Sequence, residues 1–258
     1  MREFGVRQRM TTYSISEFSA RCGVNAVTLR AWQRRYGLLS PKRTEGGHRV
    51  YDDADLIEVG IILSWIQKGV PIGQIKRLLE GQSVSTGQGN TDLQDALLTP
   101  LQSGELSRLR SLLYETGREY PSDYLVEKVL RPLRARLASP QETIQTLHHL
   151  LDSVIISYCA FCLEGARKRA GTDVIVAGWQ LQDTTEVWLE ALRRTPSSQR
   201  CSVVPQSLTY PRPELMPGCS WLLVNAQPLT AEQHHQHQQW LAANHRIELV
   251  ILSQQEVA

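Results

Sequence analysis

Glycines at 23, 37, 46 and 47 cut residues 13–51 into pieces too short for anything but small helices and a hairpin. Ser16, followed by Glu17 and the spaced pair Phe18 and Cys22, is expected to cap a first short helix that Gly23 stops. Asn25 is expected to cap a second, in which Val27, Leu29 and Trp32 form an apolar stripe. That phase puts Thr28, Arg30, Arg34 and Arg35 on the exposed side and Trp32 in the core. Two short helices joined by a glycine turn are the local signature of a helix-turn-helix. After Gly37 comes SPKRTEGGHRVY, where Gly46-Gly47 can close a hairpin between two short extended arms. Helix returns at Asp53 with apolar positions at Leu56, Val59, Ile62, Leu63 and Ile66, and Gly69-Val70-Pro71 breaks it. Ile72, Ile75, Leu78 and Leu79 describe a last short helix.

Charge gives these pieces a purpose. Residues 28–51 hold six cations, Arg30, Arg34, Arg35, Lys42, Arg43 and Arg49, against the single carboxylate of Glu45. The overall net charge of +2 hides this, because residues 1–81 carry 13 Arg and Lys against 8 Asp and Glu, while the remainder carries 15 against 18. So dense a set of like charges repels itself unless the balancing charge is external. Duplex phosphates supply that balance, and released counterions supply most of the nonspecific affinity. Cations on a second helix can reach base edges and phosphates. The glycine turn would project Lys42 and Arg43 on one arm, His48 and Arg49 on the other.

The grammar then changes twice. Residues 82–91, QSVSTGQGNT, are small, polar and uncharged, the composition of a linker. From 92 to 170 leucines recur at helical spacing, with breaks at Gly104, Pro121 and Pro140, and 144–167 is longer and more apolar, which together predicts a helical bundle. From 171 to 256 the period shortens. DVIVAG, CSVVPQ, SWLLVNA and IELVIL read as strands covered on both faces, with 183–194 and 230–243 long enough to be crossover helices, a small α/β Rossmann-like domain.

Several chemistries are disfavoured. Cys159 and Cys162, in SVIISYCAFCLEGA, lack a second ligand pair and are expected as buried thiols rather than zinc ligands. His234, His235 and His237 sit in a glutamine-rich helix and are expected at the surface, so no metal and no catalytic group is expected. No G-x-G-x-x-G follows DVIVAG. MREFGVRQRMTT has no secretory leader pattern, Met10 is a possible alternative start, and no stretch is expected to cross a bilayer, so the expected location is cytoplasmic.

The order YSISEFSARCGVNAVTLRAWQRRYGLL, then P-x-R-T-x-G-G-H-R-x-Y, closely resembles the DNA-binding domain of MerR-type transcription regulators. Within that family the chain is most similar to the branch of curli and biofilm activators and their blue-light-responsive paralogues, in segments such as GWQLQDTTEVWLEA as well as in residues 13–81. The resemblance implies an N-terminal winged helix-turn-helix over 13–81 and a homodimer on promoter DNA, with RNA polymerase as a further partner. It places Thr28, Arg30, Arg34, Arg35 and Tyr36 at the recognition helix and Lys42, Arg43, His48 and Arg49 in the wing. The body resembles a cobalamin-binding module in degenerate form. The family's D-x-H-x-x-G loop is replaced by AGWQLQDTT, and His148 and His149 lack the glutamate that precedes the family's bundle histidine, so no cofactor is expected. What the resemblance leaves for the body is protein interaction, with a cyclic-di-GMP-metabolising enzyme as the implied partner. The loop 211–217 and the acidic helix face of Asp183, Glu186 and Glu190 are the expected surfaces. A small-molecule sensor, or a metal-assisted enzyme on a DNA-binding head, is the competing reading.

Overall fold

The computed structural model describes residues 11–83 and 89–252. The possible start at Met10 and part of the expected linker lie outside them.

The head opens with a strand, β1 (Thr12–Ser14), which pairs antiparallel with β3 (Arg49–Asp52). No local signal marks a three-residue strand whose partner lies almost forty residues downstream. Helix α1 (Ile15–Cys22) is capped by Ser14, not Ser16: the Ser14 hydroxyl accepts the Glu17 N–H, and the Glu17 carboxylate accepts the Ser14 N–H at 2.8 Å. The reciprocal bond needs the glutamate three residues after the cap, and only Ser14 has that spacing. Gly23, at φ 69°, ends α1 in the left-handed region. Helix α2 (Ala26–Ala31) starts as expected, with the Asn25 side chain accepting the Val27 and Thr28 N–H groups. It continues as a π-helical turn over Trp32–Tyr36, which the apolar spacing did not foretell. The hairpin β2 (Lys42–Arg43) to β3 pairs Lys42 with Val50 and Arg43 with Arg49, and Gly47 takes its turn at φ 78°. Helices α3 (Asp53–Gln67) and α4 (Ile72–Leu79) complete the head.

The body begins with α5 (Gly89–Gln102), α6 (Leu106–Glu119), the helical run Ser122–Tyr124 (α7), a π-helical turn Leu125–Leu130 and Arg131–Arg136 (α8), and then α9 (Glu142–Arg167). Gly104 at φ 74° and the residues before Pro121 and Pro140 are the breaks the sequence predicts. Helix α9 corrects one expectation: by length and composition it could span a bilayer. Its apolar side is spent inside the protein, where Leu151, Val154, Ile155 and Cys159 are buried.

Four strands, β4 (Thr172–Trp179), β5 (Gln199–Leu208), β6 (Ser220–Asn225) and β7 (Ile247–Ile251), form an all-parallel sheet in the order β5-β4-β6-β7. Helix α10 (Thr185–Arg193) packs on the face that meets α9, and α11 (Ala231–Ala242) covers the other through Trp240 against Trp179. The β5–β6 connection carries only a short 3₁₀ turn at Pro213–Leu215.

Head and bundle share one core. A continuous set of buried side chains runs from Phe18, Trp32 and Ile75 in the head through Leu109, Tyr124 and Leu130 to Cys159 and Leu192. Gly89, at the end of the expected linker, lies so close to the head that a Cβ there would stand 2.5 Å from the Gly69 carbonyl oxygen. The head is therefore docked on the bundle, not merely tethered to it.

Candidate nucleic-acid interface

Helix α2 and its π-helical turn present a narrower exposed face than the sequence suggests. Thr28 is fully buried while Val27 is 53 % exposed, which reverses the expected sides of these two neighbours. The Asn25 cap sets the phase of α2, and that phase turns Thr28 toward the head's core. Arg30 and Arg34, one turn apart, remain exposed, and no carboxylate among the described residues pairs with either.

Arg35 and Tyr36 point to the body instead. The Arg35 guanidinium meets Glu119 at 2.6 Å and Glu115 at 3.5 Å, and the first of these bonds raises its pKa. Tyr36 is half-buried beside Gly73, and burial, with the Glu119 carboxylate second, holds its phenol proton well above the usual range. Between them Trp32, with no exposed surface, donates from Nε1 to the Glu119 carbonyl at 2.7 Å. The far side of the π-helical turn is thus the joint between head and bundle.

In the wing, Thr44 N–H donates to the His48 carbonyl at 2.9 Å and closes the hairpin. Among the described residues the Arg43 guanidinium donates only to the Gly47 carbonyl, at 3.1 Å. Arg49 Nε donates to Gln33 Oε1 at 2.6 Å, so an amide on the π-helical turn sets the orientation of the hairpin's arginine. Lys42 differs from the expectation of an unpaired wing cation, because Asp52, the cap of α3, holds it at 3.2 Å. Its ammonium and the capping N–H groups keep the Asp52 carboxyl below the ordinary 3.8.

These side chains converge. Arg30, Arg34, Arg35, Arg43, Arg49 and, from α6, Arg118 line one open hollow of about 560 Å³. A smaller hollow of about 260 Å³ beside it takes in Arg30, His48 and Arg49. Such a basic concavity floored by a short helix fits phosphates flanking a groove. Gln33 and Arg118 were not singled out in the sequence. Gln33 follows Trp32 in the chain and gave no signal, and Arg118 is brought in only by the docking of α6.

A second hollow, of about 650 Å³, lies where ligands bind in open α/β sheets, beyond the strands' carboxyl ends at the reversal of strand order. The loops after β4 and β6 contribute Gln182 and Ala226. Its opposite wall is a network of ion pairs. Arg131 meets Glu186 and Glu190, each at 2.7 Å, and also Glu127; Arg134 meets Asp152, Asp183 and Glu186 at 2.7–2.8 Å. Two of the three carboxylates expected on an open acidic face are not open: Glu190 is 1 % and Glu186 8 % exposed, both neutralised by arginines of α8, whereas Asp183, paired with Arg134, keeps an exposed side chain. Burial raises the Glu186 pKa, opposed by the two guanidinium groups. Among the described residues no group of three or more His, Cys, Asp and Glu side chains has metal-binding geometry.

A winged helix-turn-helix with an open basic hollow, carried on a body of helices and a parallel α/β sheet, defines a DNA-binding transcription regulator. The model of the MerR HTH family matches residues 13–82, and those of the MlrA helical and C-terminal domains match 91–164 and 171–247. The chain is 44 % identical over 238 residues to the HTH-type transcriptional regulator MlrA of Escherichia coli K12, covering 92 % of this chain and 98 % of that one. It is 42 % identical to MlrA of Salmonella typhimurium over 90 % of its length and 96 % of the relative's. The HTH-type transcriptional repressor CarH of Myxococcus xanthus is 30 % identical over 47 % of this chain and 45 % of its own. The chain belongs to the MlrA family of MerR-type transcription regulators, a family of regulators and not of enzymes.

Proposed function

We propose that this protein is a homodimeric, sequence-specific activator of curli- and biofilm-type genes that acts in the cytoplasm with RNA polymerase. The observation that carries the duplex-reading role is the hollow in which Arg30, Arg34, Arg43 and Arg49 converge without carboxylate partners among the described residues. Arg30 and Arg34 lie toward base edges and flanking phosphates; Arg43, His48 and Arg49 hold the backbone from the wing. Thr28 has no place in that surface; Arg35 and Tyr36 act by joining the head to the bundle, and Lys42 by fixing the head's internal geometry. One winged head covers a half-site, so two copies are needed for a pseudo-palindrome. Bending such a promoter costs several kcal/mol and must be offset by added contacts.

The body serves as a protein-interaction module, a relative of cobalamin-binding modules that holds no corrin. Support comes from the ion-pair network on one wall of the cleft and from Gln182, which lines the cleft where the loop after β4 offers no imidazole; His148, which also lines it, comes from α9. Around loop 211–217, Tyr210, Leu215 and Met216 are 66, 71 and 52 % exposed, an apolar surface suited to a partner such as a cyclic-di-GMP-metabolising enzyme. The test is a selection of bound genomic fragments followed by anisotropy titrations. Arg30→Ala should change site preference, whereas a uniform loss on every duplex contradicts base reading. Equal, negligible retention of all fragments by the wild type would remove the duplex-reading role itself.

A further inference from the structure

The basic surface does not end with the winged head. Arg118 stands in the last turn of α6, part of the helical bundle, yet it is exposed into the same hollow as Arg30, Arg34, Arg43 and Arg49. Two carboxylates are near it in sequence, Glu115 and Glu119, and both are turned to Arg35 instead. No other carboxylate among the described residues pairs with Arg118. The helix dipole favours a cation in a final turn, but it does not require one that faces a hollow already lined by arginines.

The position of Arg118 relative to the recognition helix is also fixed. Its neighbour Glu119 receives the Trp32 indole N–H through its carbonyl and the Arg35 guanidinium through its carboxylate. One residue further on, the Tyr120 hydroxyl accepts the Ile72 N–H at 3.4 Å. Three bonds to two elements of the head therefore flank Arg118, while its own guanidinium is left to the hollow. An arginine so held and so unpaired suits a phosphate oxygen.

We propose that Arg118 is a DNA-backbone contact supplied by the body, so that the protein grips a duplex with its helical bundle as well as its winged head. This rests on the duplex-reading role of the head. It follows that a shift of α6 changes the grip directly, without any change inside the winged domain.

The test is fluorescence anisotropy of the full chain on a labelled duplex recovered from retained genomic fragments, and on a shuffled duplex, across a range of salt concentrations. Arg118→Ala should weaken both duplexes by a similar factor, roughly tenfold, and lower the salt slope by about one for each Arg118 removed. Arg118→Lys should restore most of the slope and Arg118→Glu should lower it further. Arg49→Ala is the control for the head. An unchanged slope in Arg118→Ala and Arg118→Glu, with a lowered slope in Arg49→Ala, overturns the proposal and leaves the head's role standing. Should Arg118→Ala lose its melting transition, Arg118→Gln and Arg118→Lys replace it, and equal slopes for that pair overturn the proposal. No binding by the wild type would instead refute the head's role, and this contact with it.

Discussion

Arginine is used in opposite ways at the two ends of this molecule. In the head, Arg30, Arg34 and Arg43 face an open hollow and meet no carboxylate among the described residues. At the seam between bundle and sheet, Arg131 and Arg134 each meet three carboxylates from two or three elements. Buried ion pairs hold a fold in one arrangement, because removing one member strands the others in a poor solvent. Exposed unpaired cations add little to the fold and leave their charge for an external anion. The same side chain is thus committed to architecture in one region and left open to an external anion in the other, and partner geometry tells the two apart where composition does not.

The contrast breaks most visibly at Arg134. Arg134→Ala leaves Asp152, Asp183 and Glu186 without their shared cation and should cost about 3–5 kcal/mol, read as a large fall in melting temperature. A fall no larger than that of Arg34→Ala would mean the seam is not the structural centre described. Next in size is Arg49→Ala, which should leave melting almost unchanged while weakening every duplex about tenfold and reducing the salt slope. Trp32→Phe removes the indole donor to the Glu119 carbonyl and should cost about 1–2 kcal/mol by thermal melting; no loss would show that the joint between head and bundle does not depend on that bond. Thr28→Val sharpens the comparison from the other side. The hydroxyl is buried with no partner among the described residues, so replacing it with a methyl should not lower stability and should keep duplex affinity within about twofold. A large, sequence-dependent loss of affinity would return Thr28 to the groove.

The smallest effect concerns pH. The folded pKa of Asp52 lies below the ordinary 3.8, led by the hydrogen bond from Lys42. Its contribution to stability is therefore complete above the unfolded value and drains as pH falls through the lower folded one. Asp52→Asn keeps a good helix cap and should flatten this part of the acid limb in a pH series of melting curves. A limb identical to the wild type's would show that Lys42 does not act through Asp52.

Much of the head was legible because its signals are local. Asn25 caps within three residues, Gly23 and Gly47 take the left-handed conformation their turns need, and the hairpin brackets its own glycines. The cap is Ser14 and not the expected Ser16 because only Ser14 can donate its N–H to the carboxylate of a glutamate three residues on, Glu17. Strand β1 and the diversion of Arg35 to Glu119 depend on residues far along the chain. So does the seam. Asp183, Glu186 and Glu190 read as a free acidic face because α8, which carries their arginines, is about fifty residues away. In the interface, residue types were visible and commitments were not: the sequence shows six cations in 28–51, and only geometry separates those already paired from those still open.

The most direct measurement is the affinity of the wild-type protein for duplex DNA as a function of salt. With several phosphates neutralised by each head, the logarithm of the association constant should fall linearly with the logarithm of salt, with a slope of about −4 or steeper for a dimer. A slope near zero, or no retention even at low ionic strength, would mean the head's unpaired arginines are not held for a nucleic-acid backbone.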